Sequence, residues 1–192
     1  MILPIAYYND PVLRKKGEPV RNFDPSLRKL HDDMVETMKD AEGIGLAAQQ
    51  IGRALQFCVV DLRESPSPFQ CRLDGRNDVP PDLLMPLALA NPEVAIPPGE
   101  LTVFEEGCLS FPDIRGNVER PDRIHVHYQD LHGIAHDLEC DGILARCILH
   151  EVDHLNGVLF IDRMEKKTLK EIEKKLKRLK RQTRDLRAAA KK

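Results

Sequence analysis

The sequence lacks the features that direct a chain to or across a membrane. Residues 1–5 have neither the basic start nor the long apolar core of a signal peptide, and no stretch approaches the ~20 apolar residues that span a bilayer. The five cysteines are odd in number and none lies close to another along the chain, so they do not suggest a disulfide framework. We therefore expect a protein of the reducing cytoplasm whose thiols stay reduced.

Length and charge predict one folded domain with a basic tail. A chain of 192 residues with 42% hydrophobic and 31% charged residues can bury a core and stay in solution. The net charge of −2 hides an asymmetry, because residues 164–192 hold 13 Lys and Arg against 4 Asp and Glu. The rest of the chain is acidic, with 16 basic and 27 acidic residues. This pattern predicts an anionic partner for the tail.

An apolar run, Gly142–Leu149, leads into the sequence HEVDH at 150–154 and predicts a helix. Asp141 can cap the start of this helix, and Gly157 can end it in a left-handed turn. Four residues recur at spacings of four, three and four and therefore share one helical face: Ile143, Cys147, His150 and His154.

The two histidines of this motif lie one helical turn apart and can hold one divalent metal ion between them. Glu151 follows the first of them and is placed to take a proton from metal-bound water. The alternative is a buried helix whose histidines only form hydrogen bonds. A metal ion would supply the partner that buried polar side chains need.

A hydrolytic metal site needs a third protein ligand, and Cys108 is the best candidate. It follows a glycine, precedes a Ser-Phe-Pro turn and lies outside any regular apolar period. A metal ion also stabilises the thiolate form of cysteine. The alternative for Cys108 is a small buried residue, which Cys58 and Cys147 fit better. His125 and His127 could also bind a metal, but strand alternation favours the solvent-facing side of a strand for them.

A glycine-containing segment, GIGLAAQQ at 43–50, is a second candidate site. Gly43 and Gly45 let another chain approach the backbone closely, and Gln49 and Gln50 place two amides beside this turn. No third glycine stands at the spacing of a dinucleotide-binding fold. The alternative is a helix C-cap followed by packing of small residues.

The remaining pattern predicts two more helices and several antiparallel strands. Asp24 is the expected N-cap of a helix that runs to about residue 42. Residues 64–86, rich in Pro, Ser, Asp and Arg, read as a surface excursion. Strands are expected near 56–61, 87–91, 101–104, 117–120, 123–128 and 134–140, and a long helix from 169 onward. The expected fold is α+β, with antiparallel strands wrapped around a central metal-binding helix and a long C-terminal helix.

Three motifs stand in order along the chain, GIGLAAQQ at 43–50, EGCLS at 106–110 and HEVDH at 150–154. In this set the sequence resembles peptide deformylase of the bacterial type, and residues 9–14 and 91–93 are also similar to that family. The resemblance covers residues 1 to about 165. It implies a catalytic domain over 1–165 and a basic helical extension over 166–192.

The resemblance also implies roles for individual residues. The metal ligands would be Cys108, His150 and His154. Glu151 would be the general acid and base, while the Gln50 amide and the backbone N–H of Leu109 would bind the developing oxyanion. Backbone groups around Ile44, Gly45 and Gly107 would hold an extended peptide, and the methionine pocket would be built partly by Ile143, Cys147 and Ile44, with Arg146 nearby. Arg115 stands where the family often carries arginine, and Glu42 and Arg120 match a family ion pair beside the site.

The activity implied by the resemblance is removal of the N-formyl group from the initiator methionine of nascent polypeptides, with release of formate. One divalent ion would serve, with Fe2+ expected and Zn2+, Ni2+ or Co2+ as substitutes. The basic C-terminal helix would bind the ribosome near the exit tunnel. One alternative is a zinc endopeptidase, although Phe160 stands where its third histidine would fall. The other is a structural metal site with a basic RNA-binding helix.

Overall fold

The protein is described from a computed structural model, in which residues 1–77 and 79–189 are described. The helices in this part of the chain are α1 (Pro25–Asp40), α2 (Pro81–Leu84), α3 (Gly142–Leu155) and α4 (Lys166–Ala189). The strands are β1 (Gly45–Ala47), β2 (Phe57–Val60), β3 (Cys71–Leu73), β4 (Arg76–Asn77), β5 (Leu87–Ala95), β6 (Leu101–Gly107), β7 (Arg115–Pro121), β8 (Arg123–Gln129) and β9 (Ala135–Asp141). Short 3-10 helices occupy Pro11–Arg14, Ala48–Ile51 and Phe160–Asp162.

The strands described form two antiparallel sheets. The larger has the order β1-β2-β5-β8-β9-β3-β4, and the smaller is the hairpin β6-β7. The predicted α+β fold with antiparallel strands and a long C-terminal helix is confirmed. The 64–86 excursion is more than a surface loop, because its strands β3 and β4 extend the large sheet beyond β9. On β8 the outward placement of His125 and His127 is as predicted, since both are exposed.

Helices α1 and α3 pack on opposite faces of the large sheet. Alternation along β2 shows this directly, because side chains of successive strand residues point to opposite faces. Phe57 and Val59 belong to the core cluster of α1, whereas Cys58 and Val60 belong to the cluster of α3. The large sheet therefore lies between α1 and α3, and α3 packs against one of its faces.

The ends of α3 follow the sequence signals with one difference. Gly157 has φ +72° and its N–H donates to the His154 carbonyl at 3.0 Å, while the Val158 N–H reaches the Asp153 carbonyl at 2.9 Å. This pair of bonds is the Schellman ending expected for a glycine after a helix. Asp141 is the N-cap residue, but its carboxylate accepts from the Gln70 N–H at 2.6 Å and makes no capping bond to the helix.

Helix α4 is part of the packed body. Its Ile172, Leu176 and Leu179 are buried in a third core cluster that includes Phe111 and Phe160, and its lysines and arginines cover the outer faces. The last residues of the predicted basic helix, 190–192, lie outside the described part of the chain. Within residues 1–77 and 79–189, every helix is too short or too polar to cross a bilayer.

The ending of α3 generates a prediction for two glycines with positive φ. A Cβ at Gly157 would lie 2.6 Å from the Arg14 carbonyl oxygen, whereas one at Gly52, with φ +81°, would meet nothing within 4 Å. We expect Gly52→Ala to lower the free energy of unfolding by about 1 kcal/mol, from backbone strain alone. Gly157→Ala should lower it by about 3 kcal/mol, because overpacking is added. Urea denaturation of both variants measures the difference, and equal losses would contradict this account of the turn.

Candidate active site

Three potential ligand side chains converge beside α3. Sγ of Cys108 and one ring nitrogen each of His150 and His154 all lie within 4.8 Å of one another. The Cys108 Sγ is 3.2 Å from His154 Nε2. In the described part of the chain this is the only such group found with three or more potential ligands. The side chains come from the C-terminal half of α3 and from the turn that follows β6.

The donor set fits one metal ion. A sulfur ligand about 2.3 Å and a nitrogen ligand about 2.1 Å from a tetrahedral centre lie about 3.6 Å apart. The distance of 3.2 Å between Cys108 Sγ and His154 Nε2 is close to this value. Burial lowers the pKa of His154 well below its ordinary value and so favours the neutral imidazole that binds metals. Burial opposes a charge on His150 too, but hydrogen bonds with Cys108 and Glu106 raise its pKa to about 10. The surroundings of His150 therefore attract positive charge.

Glu106 positions His150. The buried Glu106 carboxylate contacts His150 Nδ1 at 3.0 Å, which leaves the other ring nitrogen of His150 for the ligand cluster. A carboxylate behind a histidine ligand orients the ring and increases its basicity. Burial favours protonation of Glu106, but hydrogen bonds from His150 and Arg120 outweigh it and lower the pKa of Glu106 to about 2. This carboxylate is therefore ionised wherever the protein is folded near neutral pH.

Two arginines complete the bonding of Glu106. Arg120 donates from Nε at 2.6 Å and from Nη2 at 3.0 Å, and Arg146 donates from Nη1 at 2.9 Å. Arg120 also bonds Asp153, which Arg163 holds from the other side. The network links β6, β7, α3 and the approach to α4, so the histidine helix is tied to the strand that precedes Cys108.

The expected ion pair between Glu42 and Arg120 is wrong. Arg120 is buried, and its ion pairs are with Glu106 and Asp153. Glu42 instead has φ +55° in the turn after α1 and lines the cleft. The sequence resemblance could not identify the partners of Arg120. Which acidic residue pairs with a buried arginine depends on which of several candidates the fold buries next to it.

Gln50 is held with its amide facing the ligand cluster. Its Oε1 accepts from the backbone N–H of Ala47 at 2.8 Å, and its Nε2 lies 3.5 Å from Cys108 Sγ. Because the oxygen is engaged by the backbone, the amide has one orientation. Gln49 points elsewhere and donates to the Leu155 carbonyl. Of the two glutamines, the structure therefore brings only Gln50 to the site.

Glu151 is buried beside the cluster, and Oε2 of its carboxylate has no hydrogen-bond partner among the residues described. Burial raises the pKa of Glu151 to about 7. A Cβ added at Gly45 would collide with this carboxylate and lie 2.8 Å from Cys147 Sγ. The glycine is therefore needed here for close approach of β1 to α3, as the sequence suggested for this segment.

A cleft of about 450 Å³ opens onto this cluster. Of the residues expected to bind the metal, act in the reaction or hold the substrate, all but His154 line it: Ile44, Gly45, Gln50, Gly107, Cys108, Leu109, Arg115, Ile143, Cys147, His150 and Glu151. Arg146 also lines it, with its guanidinium 5.5 Å from the centre of the Phe104 ring. Arg115 stands opposite Gly107 in the β6-β7 register.

The whole chain matches a known family. The family model for polypeptide deformylase matches residues 2–170. The chain belongs to the polypeptide deformylase family. A peptide deformylase of Opitutus terrae is 59% identical over 193 aligned residues, which cover 100% of this chain and 98% of that protein.

Solved deformylase structures share the fold. A plant peptide deformylase has a TM-score of 0.83 and 34% identity, covering 95% of this chain and 91% of its own. The peptide deformylase of Thermotoga maritima has a TM-score of 0.73 and 41% identity, with coverages of 86% and 99%. The protein is therefore an enzyme of N-terminal processing in protein biosynthesis, a metal-dependent hydrolase that removes the formyl group from nascent peptides. Family membership also sets aside the zinc endopeptidase alternative.

Sequence reasoning missed the residues that hold the deformylase site in place. Glu106 and Asp153 lie inside the recognised motifs, but no supporting role was foreseen for them. Their partners Arg146 and Arg163 carry no local signal, because a basic residue on a helix or in a turn is usually exposed. Only the buried network identifies them.

The contact at Gly45 generates a prediction for the deformylase activity. Gly45→Ala would displace Glu151 by a fraction of an ångström or more, and misplacement of a group in an active site by ~1 Å costs about 100-fold in rate. We expect kcat/KM for a formylated peptide to fall by about that factor while bound metal is unchanged. Gly99→Ala is the control, since a Cβ there would lie 3.9 Å from its nearest neighbour. Wild-type activity in Gly45→Ala would show that the carboxylate position is not critical.

Proposed function

We propose that Cys108, His150 and His154 are the metal ligands of this deformylase and that Glu151 is its general acid and base. The observation that carries the proposal is the meeting of one sulfur and two ring nitrogens within 4.8 Å, beside a buried carboxylate oxygen that has no partner among the described residues. Three protein ligands leave a fourth position for water or substrate. A divalent ion held there supplies Lewis acidity, which lowers the pKa of water and polarises the formyl carbonyl.

In this mechanism Glu151 moves one proton twice. Its carboxylate takes a proton from the attacking water, and later gives it to the leaving amine nitrogen as the C–N bond of the formamide breaks. Its pKa, raised by burial to about 7, lies near working pH, where one group can accept and donate. The products are formate and a peptide with a free amino terminus.

Gln50 and Leu109 stabilise the charge that develops on the formyl oxygen. Gln50 can donate because its own oxygen is held by Ala47, so the Nε2 side faces the cluster. We assign the backbone N–H of Leu109, which follows the cysteine ligand, as the second donor. A preorganised donor of this type is worth about 3 kcal/mol of transition-state stabilisation.

The cleft walls suit an extended peptide that begins with methionine. Ile44 and Gly45 line the cleft on one side and Gly107 lines it on the other, and Arg115 stands opposite Gly107. Ile143 and Cys147 on α3 are the apolar wall for the methionine side chain. The guanidinium of Arg146 is held by Glu106 and by the Thr102 carbonyl, so its stem stays against this wall.

We infer from the family resemblance that Fe2+ is the native ion. Zn2+, Ni2+ or Co2+ can replace it, because one thiolate and two imidazoles suit all of these metals.

Because the substrate is a chain still on the ribosome, the enzyme works in the cytoplasm. We also propose that residues 1–165 are the catalytic domain and that the basic segment 166–192, which contains α4, binds the ribosome near the exit tunnel. The solvent-facing lysines and arginines of α4 support an anionic partner.

The assignment of Glu151 predicts the effect of one substitution. Glu151→Gln keeps the size of the side chain but removes the base, so kcat for formate release should fall by about 100- to 10,000-fold. Metal content should stay the same. The matched control is Glu165→Gln, an exposed carboxylate at the start of α4. The assay measures formate release from a formylated Met peptide, and casein serves as the comparison substrate for endopeptidase activity. An unaffected rate of formate release in Glu151→Gln would refute the role given to this residue.

The role of α4 is tested without removing it, because deletion of 169–192 would remove the buried Ile172 and uncover core residues such as Phe111 and Phe160. We expect the triple change Lys170→Glu, Lys174→Glu and Arg178→Glu, on the exposed side of α4, to weaken ribosome co-sedimentation by at least about 10-fold at low salt. Turnover of short formyl peptides should not change. The control applies the same charge change to exposed residues elsewhere: Lys16→Glu, Arg21→Glu and Arg53→Glu. Equal weakening in both triples would mean that net charge, not α4, governs binding.

A further inference from the structure

Two cysteines that are distant in the sequence face each other at the edge of the large sheet. Cys71 on β3 is the direct register partner of Cys140 on β9. No role is predicted for Cys71 from the sequence, and no two of the five cysteines lie close together along the chain. The pairing arises because the 64–86 excursion folds back onto β9 as an additional strand.

The hydrogen-bond pattern brings these two side chains unusually close. The Asp141 N–H donates to the Gln70 carbonyl at 3.1 Å, and the Asp74 N–H donates to the Asp137 carbonyl at 2.9 Å. Hydrogen-bonded and non-hydrogen-bonded pairs alternate along an antiparallel ladder. The pair Gln70–Asp141 is hydrogen-bonded, so the next pair, Cys71–Cys140, is a non-hydrogen-bonded one. Cα atoms in such pairs are about 4.5 Å apart, inside the range of about 4.4–6.8 Å that disulfides span.

The pair is also reachable from solvent on one side. Cys140 is 3% exposed and belongs to the core cluster of α3, whereas Cys71 is partly exposed and packs against that cluster. A separate polar cleft of about 320 Å³ is lined by both cysteines and by charged residues such as Arg72 and Arg123. Neither Cys71 nor Cys140 is in a disulfide in the structure.

We propose that Cys71 and Cys140 are a redox pair that a small-molecule disulfide, such as oxidised glutathione, converts into a cross-strand disulfide. The Cys71 thiolate attacks one sulfur of the reagent, the reagent's S–S bond breaks, and one glutathione thiolate leaves. The Cys140 thiolate then attacks the Cys71 sulfur of the mixed disulfide and displaces the second glutathione. The two protein thiols lose two electrons to the reagent, and their two protons go to the two glutathione thiolates.

This disulfide would fasten the 64–86 excursion over the start of α3. A Cβ at Gly142, the first residue of α3, would lie 2.7 Å from the Pro68 carbonyl, so the excursion already covers that end of the helix. The two histidine ligands lie further along α3, with His150 about 12 Å away by helix rise. The bond should therefore change stability and leave turnover unchanged.

Protonation makes the reaction slow near neutral pH. Burial raises the pKa of the Cys140 thiol above its ordinary value, and the nearby Cys71 adds to this effect. Since the thiolate is the reactive form, the second step should accelerate as the pH rises. Oxidation is therefore best tested at a pH of about 8.5.

The experiment uses the full-length, metal-loaded enzyme incubated with oxidised glutathione, then alkylated and digested with trypsin without reduction. The five cysteines fall in five different tryptic peptides, residues 54–63, 64–72, 77–115, 124–146 and 147–163, so each pairing has its own mass. We expect peptide 64–72 linked to 124–146. Cys58 is an internal control, because it belongs to the same core cluster as Cys140 but is fully buried, and it should be alkylated only after unfolding.

The stability readout compares the oxidised enzyme with the Cys71→Ser variant treated in the same way. Oxidation should raise the Tm of the wild-type enzyme by roughly 5–10 °C, with reversal by dithiothreitol and no change in formate release. Cys71→Ser should show no rise, and because Cys71 is partly exposed this variant is expected to fold. Absence of the 64–72/124–146 peptide after exhaustive oxidation, its replacement by another pairing, or formation without a rise in Tm would overturn the proposal.

Discussion

The ionised carboxylate of Glu106 is the interaction on which the active site depends. It lies away from solvent and accepts hydrogen bonds from the side chains of Arg120, Arg146 and His150. A buried charge that loses one partner destabilises a protein strongly, so each member of this set requires the others. Because those members come from two strands and one helix, the same bonds that stabilise the fold also orient His150, a proposed metal ligand.

The architecture explains how distant residues reach one cleft. Helix α3 is held between the large sheet and the β6-β7 hairpin, which brings the chain just after β6 against its C-terminal half. Cys108 follows β6 directly, so it arrives beside His154 without a long loop. On the other side β1 approaches closely because Gly45 has no side chain, which leaves room for the Glu151 carboxylate. The groups assigned to the chemistry thus lie on regular elements or directly after one, as Cys108 and Leu109 do after β6.

Local patterns in the sequence were sufficient to predict local structure. The helical face that His150 and His154 share on α3, the ending of α3 at Gly157 and the alternation along β8 all follow from periodicity and backbone conformation, which depend on neighbouring residues. The excursion at 64–86 was predicted only as a surface segment, because its short strands have too few residues to give a clear period. The expected partner of Arg120 was wrong, and the meeting of Cys71 with Cys140 was not foreseen.

The sequence by itself determined the helix with its two histidines and carboxylate, the unusual cysteine, the basic last helix and, through three ordered motifs, the family. These features are encoded in spacing and side-chain chemistry along a few consecutive turns. Only the tertiary structure decided which charges are buried together around Glu106 and which thiols face each other across β3 and β9. Such pairings arise between residues far apart in the chain, where burial and strand register select one partner from many of the same type.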